Sequence, residues 1–256
     1  ELYVAAGLAA AARVLKEYNP GIAKDSLSAA EDLYQKAIGR AKKVDNKTFA
    51  AAELYLSTRK TNYLADITAL KTAIIADVAE TAWPLGRVMN AIEDKVFVAE
   101  LNAAVEQYQI NVRERAATES PYGVPYTPNI WGAGWTIQEF GVHQYFFAKS
   151  WPQYTTKDAY LSALNFVLGV HPGSNTQSFA SGVGARSATV AYGNNRADWS
   201  YIPGGVISGT ALIRPDLPEL KTWPFFWQQT EYVMGGGETN YMFLVLAVDA
   251  AKKSAK

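Results

Sequence analysis

Helical periodicity over residues 1–117 constrains the fold more than any other feature of this chain. Ala-rich segments, with apolar residues three to four positions apart, are separated by short polar links. Helices joined by such short links pack as antiparallel hairpins. The sequence therefore predicts an all-α fold class assembled from helical hairpins.

Proline, glycine and capping residues set the expected helix limits. Asn19-Pro-Gly21 is expected to end the first helix, because proline disrupts a helix interior and glycine favours the turn after it. Asp25 or Ser26 is expected to cap a second helix that reaches about residue 43. A single continuous helix is expected over residues 63–81, before Trp83-Pro84 breaks the pattern.

The beginning of the chain has a helical pattern from its first residue. Glu1 is followed directly by apolar residues, and no Ser, Thr, Asp or Asn stands in front of them to cap the free N–H groups. We therefore expect that the chain is a piece of a longer protein.

The second half of the sequence has a different texture. A helical hairpin is expected over residues 137–149 and 157–168, and a last helix over residues 239–252. Between them, residues 169–237 contain many glycines and aromatic residues and have no long helical period. Short strand pieces at 178–183 and 188–192 are not expected to form a sheet. A long segment of this kind in a compact domain is typical of a functional loop system.

Composition excludes several classes of site. The chain has no Cys and only two His, which excludes disulfides and argues against a metal centre. The 24 basic residues balance the 24 acidic ones, so charge alone does not favour nucleic acid. No apolar run is long enough for a membrane helix, and no phosphate-binding loop is present. We expect no cofactor, no metal, no nucleic-acid partner and no membrane-spanning segment.

Three acidic residues of the second half are candidates for acid–base chemistry: Asp198, Glu231 and Glu238. Glu231 follows the aromatic run 223–227, and loss of hydration among aromatic groups would raise its pKa and suit it to act as a general acid. The alternative is a surface residue, or one bonded to backbone N–H groups. Glu238 falls in the first turn of the last helix, where the helix dipole stabilises a negative charge. This stabilisation is enough to explain an acidic residue at that position.

Polar and aromatic residues alternate in a way that favours sugar binding. Arg and Asn side chains can hydrogen-bond sugar hydroxyls, while Trp and Tyr rings stack on the apolar face of a pyranose. An Arg196–Asp198 surface pair beside a packed Trp199 is the alternative interpretation. The candidate substrate-binding residues are Arg196, Asn195, Trp131, Trp135, Trp199 and Tyr126.

Several segments together resemble one family. Residues 168–184, beginning Leu-Gly-Val-His-Pro, are similar to a Leu-Gly-x-Asn-Pro segment of glycoside hydrolase family 9. Gly193-Asn-Asn-Arg196 stands where that family has Pro-His-His-Arg, and Pro203-Gly-Gly-Val resembles its Pro-Gly-Val. Thr230-Glu-Tyr-Val-Met resembles its Asn-Glu motif, and residues 58–64 its Thr-Gly-Asp-x-x-Tyr-Leu link.

The resemblance implies a toroid of six helical hairpins, of which residues 1–256 form the C-terminal part of a single catalytic domain. It also implies inverting hydrolysis of β-1,4-linked glucans, with Glu231 as the general acid and Arg196 holding the sugar. The family's Asp-Ala-Gly-Asp-like motif, which supplies the base, is absent here, so the base is expected upstream. Gly235–Gly237 make the sequence separation between Glu231 and Asn240 longer than in the family's motif. Glu238 therefore remains an alternative acid.

Other functions are compatible with the same residues. A non-catalytic glycan-binding protein would keep the cleft without the base, and a polysaccharide lyase could use a similar helical toroid with Tyr and His. A plain helical interaction protein is disfavoured by the Gly- and Trp-rich loops. The expected partners are an oligo- or polysaccharide and the N-terminal remainder of the same protein. The resemblance also implies a periplasmic or secreted location.

Overall fold

The computed structural model describes residues 1–119, 123–125, 133–170, 178–185, 187, 202–207 and 236–253. The chain divides into two compact units. The first contains Glu1–Gln109 and Lys149–Tyr154, and the second contains Ile110–Ala148 and Thr155–Lys256. Expected loops at 171–177, 188–201 and 208–235 lie outside the described residues.

The first unit consists of helices joined by short links. Its elements are α1 (Leu2–Leu15), α2 (Pro20–Ala37), α3 (Val44–Thr58), α4 (Asn62–Ala69), α5 (Lys71–Ala76), α6 (Val78–Thr81), two 3₁₀ turns at Leu85–Arg87 and Met89–Ala91, and the beginning of α7 (Lys95–Thr118). The prediction of an all-α class is confirmed for this part of the chain.

Alanine determines how α1 packs. Its buried residues Ala5, Ala6, Ala9 and Ala12 lie on one side of the helix, and α1 contacts both α2 and α3. Side chains this small let neighbouring helices approach closely. Near the beginning of both helices the Tyr3 ring contacts the Phe49 ring. Further along both helices the Ser57 hydroxyl donates to the Ala9 carbonyl. Helices α1 and α3 therefore run in the same direction.

The beginning of α2 corrects the expected helix limits. The Asn19 side chain accepts a hydrogen bond from the Ile22 N–H at 3.1 Å, and Pro20 is the first helical residue. Proline fits this position because its missing N–H would have no intrahelical partner there. The predicted cap at Asp25 or Ser26 is therefore wrong, and α2 ends at Ala37 rather than near residue 43.

The single helix expected over residues 63–81 is also wrong, since this segment forms the three short helices α4, α5 and α6. The breaks fall at Leu70 and Asp77, whose backbone angles are not helical. The hydroxyl of Thr81 donates to the carbonyls of Ile74 and Asp77 at 2.9 and 2.7 Å. The hydroxyl of α6 thus bonds to the carbonyl of the break residue and to a carbonyl of the preceding helix.

A close approach of two segments completes the first unit. Trp151 is fully buried, and its indole N–H donates to the Asn102 side-chain oxygen at 2.7 Å. A Cβ added to Gly86 would stand 2.8 Å from Cζ3 of Trp151 and would also collide with Ser150. Glycine is therefore required where the first 3₁₀ turn meets this indole.

The second unit is built around α8 (Ala133–Ser150), α9 (Asp158–Val167) and α10 (Gly236–Lys253). Ile137, Phe166, Phe179 and Ile207 belong to one buried apolar cluster. Gly141 allows α8 to approach both other helices, because an added Cβ would lie 2.7 Å from Ala163 and 3.1 Å from Leu244. Close helix packing holds this unit together, as in the first.

Strand content is small, as the sequence predicted. Within the described residues the only β pairings are two isolated bridges, Ser178 with Ser187 and Ala180 with Val206. The expected piece at 188–192 lies outside those residues. None of the described helices has the length and apolar character needed to cross a bilayer.

Candidate functional site

Most of the predicted site residues lie outside the described residues. These are Glu231, Arg196, Asn195, Trp131, Trp199 and Tyr126. The acidic candidate Asp198 lies outside them too. Their predicted roles stay predictions.

Two predicted site residues are described, both in the second unit. Glu238 is half-buried in the first turn of α10, the helical position expected for it. Trp135 was expected in a glycine-rich turn but lies in the first turn of α8, with 37% of its surface exposed. An aromatic ring at this position is accessible to a ligand.

A row of three aromatic rings in the first unit was not expected from the sequence. The ring centroids of Tyr3 and Phe49 are 5.8 Å apart, and those of Phe49 and Trp83 are 4.9 Å apart. Tyr3 is exposed, and Phe49 and Trp83 are half-buried. These residues come from α1, α3 and the turn before the first 3₁₀ segment, and we call them the aromatic row.

Three charged residues join the same three segments. Both oxygens of the buried Glu53 carboxylate accept hydrogen bonds, one from Arg13 of α1 and one from Arg87 of the 3₁₀ turn. Arg13 also donates to the Glu53 carbonyl at 2.9 Å and to the Ser57 hydroxyl at 2.7 Å. The guanidinium groups stay partly exposed, whereas the Glu53 side chain is only 3% exposed. We call Arg13, Glu53 and Arg87 the arginine–carboxylate group.

The aromatic row and the arginine–carboxylate group are one helical turn apart. Phe49 precedes Glu53 by four residues on α3, and side chains four apart share one helix face. Trp83 precedes Arg87 by four residues and lies in the turn that leads into the first 3₁₀ segment. Partly exposed rings beside cationic donors can bind a ligand with an apolar face and hydroxyl groups, as a sugar has. No local sequence pattern marks this site, because its residues come from three separate segments.

A second polar cluster lies between α2 and α4. The Tyr63 hydroxyl and the Lys60 ammonium donate to the Glu31 carboxylate at 2.9 and 2.5 Å, and the Tyr34 hydroxyl donates to Asp66 at 2.8 Å. Burial, followed by these bonds to carboxylates, raises the pKa of both phenols. Burial opposes ionisation of Glu31, but the bonds from Lys60 and Tyr63 outweigh it and lower its pKa. This cluster fastens α2 to α4.

The described residues offer no site for a metal ion. Among them, no three His, Asp or Glu side chains lie close enough together to share one. Both carboxylate clusters of the first unit are already paired with Lys, Arg or Tyr side chains.

The described residues define an all-α protein whose helices are joined by short links. The model of glycosyl hydrolase family 9 matches residues 2–202, more than three quarters of the chain. The chain belongs to this family. Of the three acidic candidates, Glu231 and Glu238 follow the matched residues, and Asp198 lies within them.

Solved structures support the same fold. A metagenome-derived family 9 endoglucanase is 18% identical, with a TM-score of 0.69, over 96% of this chain and 51% of its own. The cellulase Cel9M of C. cellulolyticum is 16% identical, with a TM-score of 0.72, over 95% of this chain and 62% of its own. An endoglucanase of the termite Nasutitermes takasagoensis is 15% identical, with a TM-score of 0.66, over 96% of this chain and 64% of its own.

The chain thus spans between half and two thirds of the length of these structures. No curated protein sequence matches it. The predicted family and the predicted fold of helical hairpins are confirmed.

Proposed function

We propose that the protein containing this chain hydrolyses a β-linked glucan or a related plant polysaccharide. The observation that carries this proposal is the family match over residues 2–202. Two of the similar structures are those of an endoglucanase and a cellulase, which supports the same class of substrate. We also propose that the chain forms the C-terminal part of one catalytic domain.

The proposed mechanism is acid–base hydrolysis with inversion. Glu231 protonates the leaving glycosidic oxygen, and a second carboxylate activates water on the opposite face of the sugar. In inverting enzymes the two carboxyl groups stand roughly 6.5–9.5 Å apart, which leaves room for that water. The base is contributed by residues upstream of this chain, since no Asp-Ala-Gly-Asp-like motif occurs in it. Glu238 is the alternative acid.

Sugar binding is assigned to two sets of residues. Arg196 and Asn195 hydrogen-bond hydroxyl groups, and the predicted aromatic residues, including Trp135, stack on sugar rings. The aromatic row adds a surface of the first unit, because Tyr3 is exposed and its neighbours Phe49 and Trp83 are half-buried. Stacking on such rings suits a chain of glucose units, whose ring faces are apolar.

The experiment compares single variants of the complete protein on a soluble β-1,4-glucan. A general acid contributes about 10²–10⁴-fold to the rate, so Glu231→Gln is expected to reduce hydrolysis at least 10²-fold. Glu17→Gln, in the exposed turn after α1, serves as the matched control and retains activity. Thermal denaturation checks that the variants are folded.

Each other outcome contradicts part of the proposal. If Glu238→Gln abolishes hydrolysis and Glu231→Gln does not, the acid is Glu238. If the complete protein binds the glucan without cleaving it, it is a non-catalytic binding protein. An unsaturated, ultraviolet-absorbing product would identify a lyase instead.

The proposed partner within the molecule is the N-terminal remainder of the same protein. Val4, Gly7, Ala11, Val14 and Tyr18 follow one another at spacings of three and four residues, which is the pattern of a helix–helix seam. Val4 and Val14 are 53% and 69% exposed, although the opposite side of α1 is buried against α2 and α3. We call these five residues the exposed face of α1. An amphipathic helix of the remainder covers this face.

The proposed location is periplasmic or secreted. We base this location on the proposed substrate, because a plant polysaccharide lies outside the cell that degrades it.

A further inference from the structure

We infer that Glu53 is a positioning residue that holds Trp83 against Phe49 and so sets the geometry of the aromatic row for sugar binding. The inference rests on the proposed function, which supplies the sugar substrate. It adds a buried carboxylate to the residues on which sugar binding depends. It is carried by the contacts that join α1, α3 and the 3₁₀ turn.

The first step concerns the cost of burying Glu53. A buried carboxylate is unfavourable unless its charge is compensated and its oxygens accept hydrogen bonds. Here Arg13 and Arg87 each bond one oxygen, so the carboxylate fixes both guanidinium groups at once. Removing the charge of Glu53 weakens the bonds to both guanidinium groups at once, while Arg13 keeps its bonds to the Glu53 carbonyl and the Ser57 hydroxyl.

The second step concerns what Arg87 positions. Trp83 and Arg87 belong to the same turn, and Phe49 and Glu53 belong to the same face of α3. The two segments therefore touch at two points, the Phe49–Trp83 ring pair and the Glu53–Arg87 ion pair. The ion pair prevents the turn from shifting along α3, and a shift of this kind would change the spacing of the rings.

The third step concerns the other end of the row. Arg13 binds α1 to α3 through the carboxylate, the carbonyl of Glu53 and the hydroxyl of Ser57. Because α1 and α3 run in the same direction, these bonds also fix the register that places Tyr3 next to Phe49. One carboxylate thus holds both neighbours of the central ring.

The test replaces Glu53 by Gln in the complete protein, which keeps the size of the side chain and removes its charge. With glucan oligosaccharides as substrate, Glu53→Gln is expected to raise KM about tenfold and to change kcat less than twofold. In a Trp83→Ala background the same substitution is expected to leave KM unchanged, because the ring it positions is gone. Equal effects in both backgrounds, or a loss of kcat without a change in KM, would overturn the inference.

A matched control removes a different paired carboxylate of the same unit. Glu31 accepts hydrogen bonds from Lys60 and Tyr63 and has no role in the aromatic row. Glu31→Gln is expected to leave KM unchanged. If it raises KM as much as Glu53→Gln does, general destabilisation explains both results and the inference is wrong.

A measurement without sugar separates this inference from the proposed function. The fluorescence of Trp83, taken as the difference between proteins with Trp83 and with Trp83→Phe, is expected to shift to longer wavelength in Glu53→Gln. An unchanged emission would overturn the positioning role even if the enzyme hydrolyses glucan. Conversely, if the wild-type protein hydrolyses no glucan, the proposed function is contradicted. The fluorescence measurement still tests the positioning role of Glu53 in that case. If Glu53→Gln does not fold, Arg87→Lys is used for the same comparisons.

Discussion

Individual side chains of the first unit act mainly through pairing. Glu53 is buried because two arginines bond its oxygens, and these partners are 40 and 34 residues away in the sequence. Local pattern could not reveal this pairing, because an acidic residue on an Ala-rich helix looks like part of a solvated face. The cap at Asn19 was missed for a different reason, since an Asn-Pro pair can end one helix or begin the next.

Asp94 offers a prediction at the scale of a single residue. Its side chain accepts a hydrogen bond from the Phe97 N–H at 2.9 Å, at the beginning of α7, and another from Lys71 at 3.0 Å. The Phe97 bond, followed by the Lys71 bond, holds the pKa of Asp94 below its ordinary value. The ionised form therefore stabilises the fold above the unfolded pKa of about 4, and this stabilisation is lost as pH falls through the folded pKa.

We expect Asp94→Asn to lower the thermal midpoint of the complete protein near neutral pH. Asn is itself a good helix cap, so the change removes the charge and keeps the cap. The difference from the wild type is expected to shrink as pH falls below about 4 and through the lowered pKa of folded Asp94. Melting curves across this range check it, and a difference that does not depend on pH would contradict the assigned role.

At the scale of elements, the sequence predicted which segments are helical better than where they begin and end. The last helix was expected over residues 239–252 and is found at Gly236–Lys253. The segment 63–81 instead breaks at Leu70 and at Asp77, and the Thr81 hydroxyl bonds carbonyls at the second break. A hydrogen bond between a side chain and a carbonyl seven residues away is invisible to a periodicity argument.

The exposed face of α1 gives a prediction at the same scale. If a helix of the remainder covers it, Val14→Asn places a polar group in an apolar interface. Burial of a valine side chain is worth about 1.5–3 kcal/mol, so the free energy of unfolding of the complete protein is expected to fall by about 2 kcal/mol.

Val96→Asn is the matched control for this prediction. Val96 is exposed to a similar extent, 65%, but it lies on a polar face of α7, with Glu93 and Glu100 as exposed neighbours. Its replacement is expected to change the free energy of unfolding by less than about 0.5 kcal/mol. Equal destabilisation by the two substitutions, measured by chemical denaturation, would show that nothing covers the exposed face of α1.

At the scale of the whole molecule, the order of several weak motifs led to the right family. No single segment was decisive, but their sequence over most of the chain agrees with the match over residues 2–202. The aromatic row was missed because its rings come from positions 3, 49 and 83, which only folding brings together. The site in the glycine-rich half rests on residues outside the described ones, so its evidence is the sequence and the family.

The most direct measurement is the configuration of the first product. The complete protein is incubated with a β-1,4-glucan, and proton NMR follows the anomeric signals before they equilibrate. Since one displacement by water inverts the anomeric centre, an early excess of the α-anomer is expected. An early excess of the β-anomer, or no cleavage at all, would contradict the proposal that this chain is part of an inverting glycoside hydrolase.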